Sequence, residues 1–237
     1  MVDHIYCINL DRRPDRLAKA QAEFDLNDIG EVEIFRATDG RASAPEGILI
    51  SKPEWGCSDS HIRIWRDVVQ NGYECALIFE DDVKILPNFN SKLKQILEDL
   101  KSVPDWDYVN LGPGEFRKDN WTVSARLTRG AAYATHCYLV SLQGARKISV
   151  WDSVDLQLAV DSQLARSPLK MYYCPEPLAN QCTGTSGLLG VVQSAFQGDL
   201  GFERTIDIDF FVRTSWKWPA IIIFILAIIF LLKRLIP

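Results

Sequence analysis

The sequence predicts an α/β domain in which helices flank a mainly parallel β-sheet. Segments typical of strands alternate with segments typical of helices along most of the chain. One strand candidate, residues 75–79, is a continuous apolar run, which is typical of a strand covered on both faces. No internal repeat and no Gly/Ser/Pro-rich linker interrupts the first 200 residues. We therefore expect one domain over residues 1–209.

The predicted elements follow one another in a regular order. The mostly apolar residues 5–10 predict the first strand, and Pro14 fits the first turn of a helix that continues to about Phe24. The next helix carries apolar residues on one face, and Ser58 or Asp59 is its predicted N-cap. The remaining predicted strands cover residues 33–37, 75–79, 108–111, 138–140 and 170–174, and the helices residues 58–71, 90–100, 143–150 and 154–165. Prolines in residues 175–183 predict a loop there.

The charge balance argues against a nucleic-acid-binding protein. The chain of 237 residues has 26 Lys and Arg against 31 Asp and Glu, a net charge of -5, and its positive residues are dispersed. A polyanion-binding surface needs a cluster of positive charge instead.

The six cysteines are predicted to be free thiols, mostly in the core. They are widely spaced, form no CxxC pair and lie mostly inside apolar runs, where a reduced cysteine packs as a small hydrophobic residue. They are Cys7, Cys57, Cys75, Cys137, Cys174 and Cys182.

The C-terminal segment predicts a membrane anchor. Residues 219–232 carry no polar side chain, and residue types typical of membrane interfaces border them: Trp216, Lys217 and Trp218 before, Lys233 and Arg234 after. These 14 residues rise about 21 Å as a helix, short of the roughly 30 Å hydrocarbon core, so a span also needs Trp218 and snorkelling lysines or a thin bilayer. A buried helix is the alternative, but it would need enclosure on every side. We predict a juxtamembrane segment at 210–217 and a single-pass anchor at 218–237.

The N-terminal residues favour a cytosolic position for the domain. They lack the charged start and the long apolar stretch of a secretory signal. Positive residues on the two sides of the predicted anchor are nearly balanced, so they do not decide the orientation. Asn120-Trp121-Thr122 is a glycosylation sequon, and its modification would contradict a cytosolic position.

Three consecutive carboxylates, Glu80, Asp81 and Asp82, directly follow the apolar run at 75–79. Ligands of α/β sheets collect at the carboxyl ends of strands. Three adjacent like charges repel one another unless a cation neutralises them, and carboxylate oxygens favour Mg²⁺ or Mn²⁺, which often also bind substrate phosphates. A solvated acidic turn is the alternative. Because alternate strand residues share a face, Asp82 and Glu80 are the predicted metal ligands and Asp81 points elsewhere.

The acidic triplet lies within an ordered set of motifs. They are INLDRRPDRL at 8–17, ATDG at 37–40, GCSDSH at 56–61 and LIFEDDV at 77–83. With these motifs in this order, the chain resembles glycosyltransferase family 25, which includes bacterial lipooligosaccharide galactosyl- and glucosyltransferases and collagen galactosyltransferases. The segment THCYLVS at 135–141 also fits, although Cys137 stands where a small residue is usual, and residues 159–161 and 177–181 fit more weakly. The resemblance covers residues 4–185.

The resemblance implies a GT-A type fold, a nucleotide-sugar donor that is usually UDP-linked, and transfer of the sugar with inversion at the anomeric carbon. In nucleotide-sugar transferases, a divalent ion held by an acidic cluster after a strand stabilises the departing UDP. The implied cofactor is therefore Mn²⁺ or Mg²⁺, and the implied donor is a UDP-sugar.

Donor-binding residues are expected around the first strand and the helix that begins near residue 58. The candidates are Asn9, Arg13, Arg16, Asp39, Ser60, His61 and Asp81. A helix N-terminus and arginine forks can bind a diphosphate, for which Arg13 is better placed than Arg16. Asp39 can accept a hydrogen bond from a ribose hydroxyl, or it forms a turn. His61 contacts the donor near its phosphates, or it serves packing or capping.

Acceptor-side residues are expected later in the chain. An inverting transferase needs a carboxylate that takes the proton of the acceptor hydroxyl. Asp161 is the candidate because it matches the family segment, with Asp155 as the second choice; the six-residue spacing on one predicted helix lets at most one of them face the site. His136 and Gln181 are the acceptor-binding candidates, with a buried core histidine and a polar loop residue as the alternatives.

Together these features predict a membrane-anchored, metal-dependent inverting hexosyltransferase. It would move galactose or glucose from a UDP-sugar to a glycan, glycolipid or glycoprotein acceptor. A catalytically inactive family member that acts as a membrane-anchored scaffold is the alternative, against which the complete acidic cluster weighs. A sugar-phosphate nucleotidyltransferase is a third hypothesis, disfavoured because the sequence lacks a Gly-rich phosphate loop.

Overall fold

The computed structural model of the chain describes residues 1–114 and 116–182, with side chains given outside residues 116–120. The predicted juxtamembrane segment at 210–217 and the predicted anchor at 218–237 lie outside the described residues, as do residues 183–209 of the predicted domain. Among the described residues, no helix is both long and apolar enough to cross a membrane.

The strands form one large sheet and one small sheet. The large sheet contains β1 His4–Asn9, β2 Glu33–Arg36, β3 Cys75–Glu80, β5 Tyr108–Asn110, β6 Phe116–Ser124, β7 Leu127–Ala132, β8 Cys137–Ser141 and β9 Met171–Tyr173. Their order across the sheet is β2-β1-β3-β8-β5-β9-β7-β6. The small sheet pairs β4 Val83–Ile85 with β10 Ala179–Gln181 in antiparallel fashion.

The large sheet is mixed, so the expectation of a mainly parallel sheet is wrong. β1 is parallel to β2 and β3, and β5 is parallel to β9. β8 lies between β3 and β5 and is antiparallel to both, and the β6–β7 hairpin joins β9 through an antiparallel pair. The alternation of strands and helices predicted the layers, but the direction of β8 depends on contacts that are distant in sequence.

Six helices accompany the sheets in the described part of the chain. They are α1 Pro14–Leu26, α2 Gly40–Ser43, α3 Lys52–Asn71, α4 Phe89–Leu100, α5 Leu142–Ile148 and α6 Val160–Arg166, and a 3-10 helix covers Ser153–Asp155. α3 begins earlier than predicted because Ser51, not Ser58 or Asp59, is its N-cap: Ser51 and Glu54 form a reciprocal capping box.

Three other local predictions are also corrected. The single helix predicted at 154–165 is divided, because the non-helical residues 156–159 separate the 3-10 helix from α6. The predicted loop at 175–183 contains β10. The sequence pattern did not predict α2, β4, β6 or β7, three of which have six residues or fewer and so offer little periodicity.

The core lies on both faces of the large sheet. Leu77 and Phe79 of β3 pack with α1 and α4 in one buried cluster, while Ala76 and Ile78 pack with α3 and α5 in the other. This alternation places Glu80, the last residue of β3, on the face covered by α3. It therefore decides which side chains surround the carboxyl end of β3.

Candidate active site

The carboxyl ends of the parallel strands β1 and β3 bring residues 9–16 and 80–82 together. Asn9 is buried, and its Nδ2 donates to Asp81 Oδ2 at 2.7 Å and to the Arg13 carbonyl at 3.1 Å. Arg16, in the first turn of α1, places its Nε 2.9 Å from Asp81 Oδ1, and its NH2 group donates to Asp82 Oδ2. One guanidinium thus binds two carboxylates.

Asp82 has one oxygen with partners and one without. Its Oδ2 accepts hydrogen bonds from Arg16 and from Gln181 Nε2, the latter at 3.0 Å, because β10 lies beside β4. Its Oδ1 is buried and has no hydrogen-bond partner. Burial, followed by the charge of Glu80, raises the pKa of Asp82, although Arg16 and Gln181 act in the opposite direction. The free oxygen and the excess negative charge fit a bound cation.

Asp81 is short of compensating charge as well. Burial is the main reason that its pKa rises to about 6, and the charges of Asp82 and Glu80 add to this effect. Arg16 and the hydrogen bond from Asn9 act in the opposite direction without cancelling it. Arg16 alone therefore does not neutralise the acidic pair formed by Asp81 and Asp82.

Glu80 faces away from Arg16, towards α3. Thr135 Oγ1 donates to Glu80 Oε1 at 2.6 Å, and His61 Nε2 lies 3.4 Å from the same oxygen. Burial acts to raise the pKa of Glu80, but His61 and Thr135 overcome it and hold that pKa below its ordinary value. Glu80 is therefore a carboxylate at neutral pH.

The expectation that Asp81 points away from Asp82 is wrong. β3 ends at Glu80, and Asp81 and Asp82 lie in the turn before β4, so strand alternation does not extend to them. Arg16 contacts Asp81 and Asp82 together, while Glu80 lies against Thr135 and His61. The assignment of Asp82 and Glu80 as metal ligands stays a prediction.

His61 and Ser60 are buried, so the structure shows the packing alternative for His61, while donor contact by either residue stays a prediction. His61 Nδ1 lies 2.9 Å from the Tyr138 hydroxyl, which also accepts from Trp65 Nε1 at 3.0 Å. Ser60 Oγ accepts from Thr38 N at 2.9 Å and donates to a backbone carbonyl at 2.6 Å. Ser60 joins α3 to the loop before α2, and His61 contacts Glu80 from the α3 side of the sheet.

Arg13 and Asp39 have local structural partners. Arg13 stands at the N-cap position of α1 and pairs with Asp15 at 3.0 Å. Asp39 caps α2 by accepting from Arg41 N at 3.1 Å, and it pairs with Arg12 at 2.6 Å. Partial burial acts to raise the pKa of Asp39, but Arg12 lowers it overall. The turn-forming alternative for Asp39 is therefore the one that the structure shows.

The two candidate bases differ in position. Asp161, in the first turn of α6, accepts from Ala134 N at 3.3 Å and from Ser162 N at 2.6 Å. It therefore lies beside the segment that places Thr135 on Glu80. Asp155 is exposed and belongs to the separate 3-10 helix, so the prediction that both residues lie on one helix is wrong.

The two acceptor-binding candidates, Gln181 and His136, differ in exposure. Gln181 is exposed and contacts Asp82, so the structure brings it to the acidic cluster. His136 is buried: its Nε2 lies 3.4 Å from the Ala179 carbonyl, and its Nδ1 has no hydrogen-bond partner. The buried-histidine alternative for His136 is therefore the one that the structure shows.

Sequence reasoning missed several residues around Glu80. Thr135 contacts Glu80 and Tyr138 contacts His61 from elements distant in sequence. Both residues lie in the segment at 135–141, but no local pattern indicated these contacts. Cys57 is different, because it precedes His61 by four residues and thus shares a face of α3 with it. That spacing was visible in the sequence.

Known proteins resemble the chain over most of the described region. A family model described as "Glycosyltransferase family 25 (LPS biosynthesis protein)" matches residues 2–163. A protein from Aedes aegypti named "Glycosyltransferase 25 family member" is 32% identical over 186 residues, which cover 69% of this chain and 30% of that protein. The Bos taurus protein named "Probable inactive glycosyltransferase 25 family member 3" is 31% identical over 189 residues, covering 68% of this chain and 31% of that protein.

Solved structures show only a distant likeness. The galactosyltransferase LgtC in complex with donor and acceptor sugar analogs gives a TM-score of 0.42 at 10% identity, over 87% of this chain and 98% of that one. The protein A197 from STIV gives a TM-score of 0.46 at 12% identity, over 74% of this chain and 83% of that one. These scores are too low to carry an argument about fold or function.

The family assignment rests on the sequence comparisons. The chain spans about 30% of the length of the two relatives named above. Within that span, the matched region contains the motifs at 8–17, 37–40, 56–61 and 77–83, so the resemblance drawn from them is confirmed. The chain belongs to glycosyltransferase family 25.

Proposed function

We propose that this protein transfers a hexose, galactose or glucose, from a UDP-sugar to a hydroxyl group of a glycan, glycolipid or glycoprotein, with inversion. Family membership supports the reaction class. The observation that carries the proposal is the partly buried acidic cluster at the carboxyl end of β3, where Asp82 Oδ1 is buried without a hydrogen-bond partner. A mixed sheet flanked by helices fits a GT-A organisation, which we propose for the domain.

Asp82, with Glu80, is the proposed holder of a divalent cation, Mn²⁺ or Mg²⁺. Carboxylate oxygens are the ligands that these hard ions prefer, and a cation would relieve the repulsion among the three acids. When bound, such an ion would offset the negative charge that develops on the diphosphate as UDP leaves.

The chain's own residues have distinct roles in this proposal. Asn9 and Arg16 orient the acidic pair, and Arg16 can exchange a carboxylate partner for a diphosphate oxygen, a geometry that guanidinium groups favour. Asp161 takes the proton of the acceptor hydroxyl while the acceptor oxygen bonds to the anomeric carbon and the bond to UDP breaks. Gln181, exposed beside Asp82, lies where it can contact donor or acceptor.

A second candidate function is an inactive scaffold. Arg16 contacts both Asp81 and Asp82, so a guanidinium group already supplies part of the positive charge that a cation would bring. A relative with 31% identity is named as probably inactive. A scaffold of this kind would retain the domain without turning over a donor.

Release of UDP by the full chain decides between the two functions. We expect Mn²⁺-dependent release with UDP-galactose or UDP-glucose and an acceptor mixture. Asp82→Asn would remove several kcal/mol of the stabilisation that the metal gives to the transition state. The rate of UDP release would therefore fall about 100-fold or more. The control is Asp105→Asn, which changes an exposed carboxylate paired with Lys170 and should leave release unchanged. UDP binding without turnover of any donor would favour the scaffold, and absence of both would refute the transferase.

We also propose that residues 218–237 anchor the chain in a membrane with the domain on the cytosolic side. The supporting observation is the apolar run at 219–232 with its aromatic and basic borders. The full chain should stay in the membrane pellet after carbonate extraction, whereas a chain ending at residue 217 should not. A glycosidase-sensitive mobility shift that disappears in Asn120→Gln would overturn the cytosolic orientation.

A further inference from the structure

A second group of ligand-type side chains lies on the α3 side of Glu80. The Cys57 sulfur, a His61 ring nitrogen and a Glu80 carboxylate oxygen lie within 4.8 Å of one another. Cys57 and His61 are four residues apart on α3 and project from the same face of the helix, while Glu80 comes from the end of β3. Within residues 1–114 and 116–182, this is the one group of three or more such ligands.

The His61 ring provides an independent indication of a missing ligand. His61 is fully buried, and its Nε2 has no hydrogen-bond partner although it lies 3.4 Å from Glu80 Oε1. Leaving a buried polar atom unpaired costs free energy, so an atom in this state calls for a partner.

The other ring nitrogen is held as in a metal-binding histidine. Nδ1 lies 2.9 Å from the Tyr138 hydroxyl. A hydrogen bond at one ring nitrogen fixes the tautomer and the ring orientation for a metal bound at the other nitrogen. A metal would replace a proton at Nε2: Nδ1 would then donate to Tyr138, and the Nε2 lone pair would face Cys57 and Glu80.

We propose that Cys57, His61 and Glu80 form a binding site for Zn²⁺ or a similar transition-metal ion. Thiolate, imidazole and carboxylate are the ligands that zinc takes in proteins, and three protein ligands leave a fourth position for water or another oxygen. Binding breaks the Cys57 S–H bond, forms a metal–sulfur bond and releases one proton to solvent.

This site differs from the proposed donor-side cation site. Its sulfur and nitrogen ligands select soft or borderline ions, whereas the oxygens near Asp82 select Mg²⁺ or Mn²⁺. Glu80 has two carboxylate oxygens and can contribute one to each of the two proposed metal sites. The metal would tie α3 to the end of β3, so binding should stabilise the native chain, whether or not the chain is a transferase.

Cobalt titration of the full chain tests the site. The chain is reduced, treated with a chelator, dialysed and titrated with Co²⁺, whose thiolate complexes absorb through sulfur-to-metal charge transfer. We expect this band to saturate at one equivalent of Co²⁺ and Zn²⁺ to abolish it by displacement. Zn²⁺ should also raise the Tm of the demetallated chain.

Variants identify the ligands. Cys57→Ser should abolish the band, and His61→Gln should weaken Co²⁺ binding by more than the roughly 10–100-fold loss that follows removal of an outer-shell partner. Cys182→Ser, which changes an exposed cysteine, and Asp82→Asn should both retain the band. Circular dichroism checks that each variant is folded.

Failure of the metal-site proposal can be distinguished from failure of the transferase proposal, because none of these measurements requires turnover of a sugar donor. A charge-transfer band that Cys57→Ser removes and both controls keep supports the site. No band in the native chain, or a band that persists in folded Cys57→Ser, overturns it. If Cys57→Ser does not fold, an undiminished band in folded His61→Gln overturns it instead.

Discussion

Tyr108 and Tyr138 lie on the neighbouring strands β5 and β8 with their rings stacked at a centroid distance of 4.7 Å, yet their hydroxyls have different surroundings. The Tyr138 hydroxyl joins Trp65 Nε1 to His61 Nδ1. The Tyr108 hydroxyl is buried without a hydrogen-bond partner. At the scale of single residues, a tyrosine hydroxyl is thus part of a hydrogen-bond network at position 138 and has no hydrogen-bond partner at position 108.

This contrast predicts opposite effects of the same substitution. Tyr138→Phe leaves Trp65 and His61 without their shared partner and should lower the free energy of unfolding by about 1–3 kcal/mol. Tyr108→Phe removes a group that has no partner to lose, so its effect should stay within about 0.5 kcal/mol or be stabilising. Urea denaturation measures both. Equal losses in the two variants would contradict the assigned hydrogen bonds.

The two candidate bases form a second matched pair of residues. If Asp161 accepts the proton of the acceptor hydroxyl, Asp161→Asn should lower kcat by about 10²–10⁴, the range that general base catalysis contributes. Asp155→Asn changes an exposed carboxylate on a separate 3-10 helix and should leave kcat unchanged. The measurement is donor-dependent UDP release at saturating acceptor. A larger loss in Asp155→Asn would transfer the role to that residue.

At the scale of elements, two glycines allow α3 to approach the loop at 38–40. A Cβ atom on Gly56 would stand 2.6 Å from both Gly40 N and the Thr38 carbonyl oxygen. Thr38 also donates from its hydroxyl to Asp59 of α3 at 2.6 Å. The motifs at 37–40 and 56–61 are therefore the two sides of one packing contact, and that contact positions the helix that carries His61.

Gly56→Ala should consequently destabilise the protein. The added methyl group meets backbone atoms that cannot rotate away, and overpacking of this kind costs about 1–3 kcal/mol. Gly30→Ala is the control, because a Cβ atom there meets nothing within 4 Å, and its effect should stay within about 0.5 kcal/mol. Thermal or urea unfolding gives the comparison. A neutral Gly56→Ala would show that α3 can shift without cost.

At the scale of the whole molecule, the six cysteines report how the core is arranged. All six are free, which agrees with the prediction from their spacing, and Cys7, Cys75, Cys137 and Cys174 are buried. Burial raises the pKa of Cys7, Cys75 and Cys174 to about 12, and that of Cys137 also rises well above its ordinary value. The core therefore holds its thiols in the protonated form.

Alkylation should distinguish these thiols from the exposed one. In the native chain at pH 8, iodoacetamide should modify Cys182 and leave the four buried thiols intact, because they are neither accessible nor ionised. In denaturant all six should react. Peptide mass spectrometry locates the modified residues. Rapid modification of Cys7 or Cys137 in the native chain would contradict the described core.

Much of the fold could be predicted from local patterns, and the exceptions have local reasons. Apolar segments predicted β1 and β3, Pro14 indicated the first turn of α1, and the helical spacing of apolar residues predicted α4. The start of α3 was placed too late, since a capping box at Ser51 decides it rather than the apolar face. The direction of β8 depends on pairing with β3 and β5, which no local period encodes.

The sequence by itself determined the family, the order of the motifs and the position of three acids at the end of a buried strand, since all three are properties of consecutive residues. Only the tertiary structure decided the direction of each carboxylate. β3 ends at Glu80, so the turn and not the strand period orients Asp81 and Asp82 towards Arg16. Glu80 meets Thr135 and His61 because β3, β8 and α3 pack together. Contacts between elements distant in sequence set these directions, and packing of the whole domain is what brings such elements together.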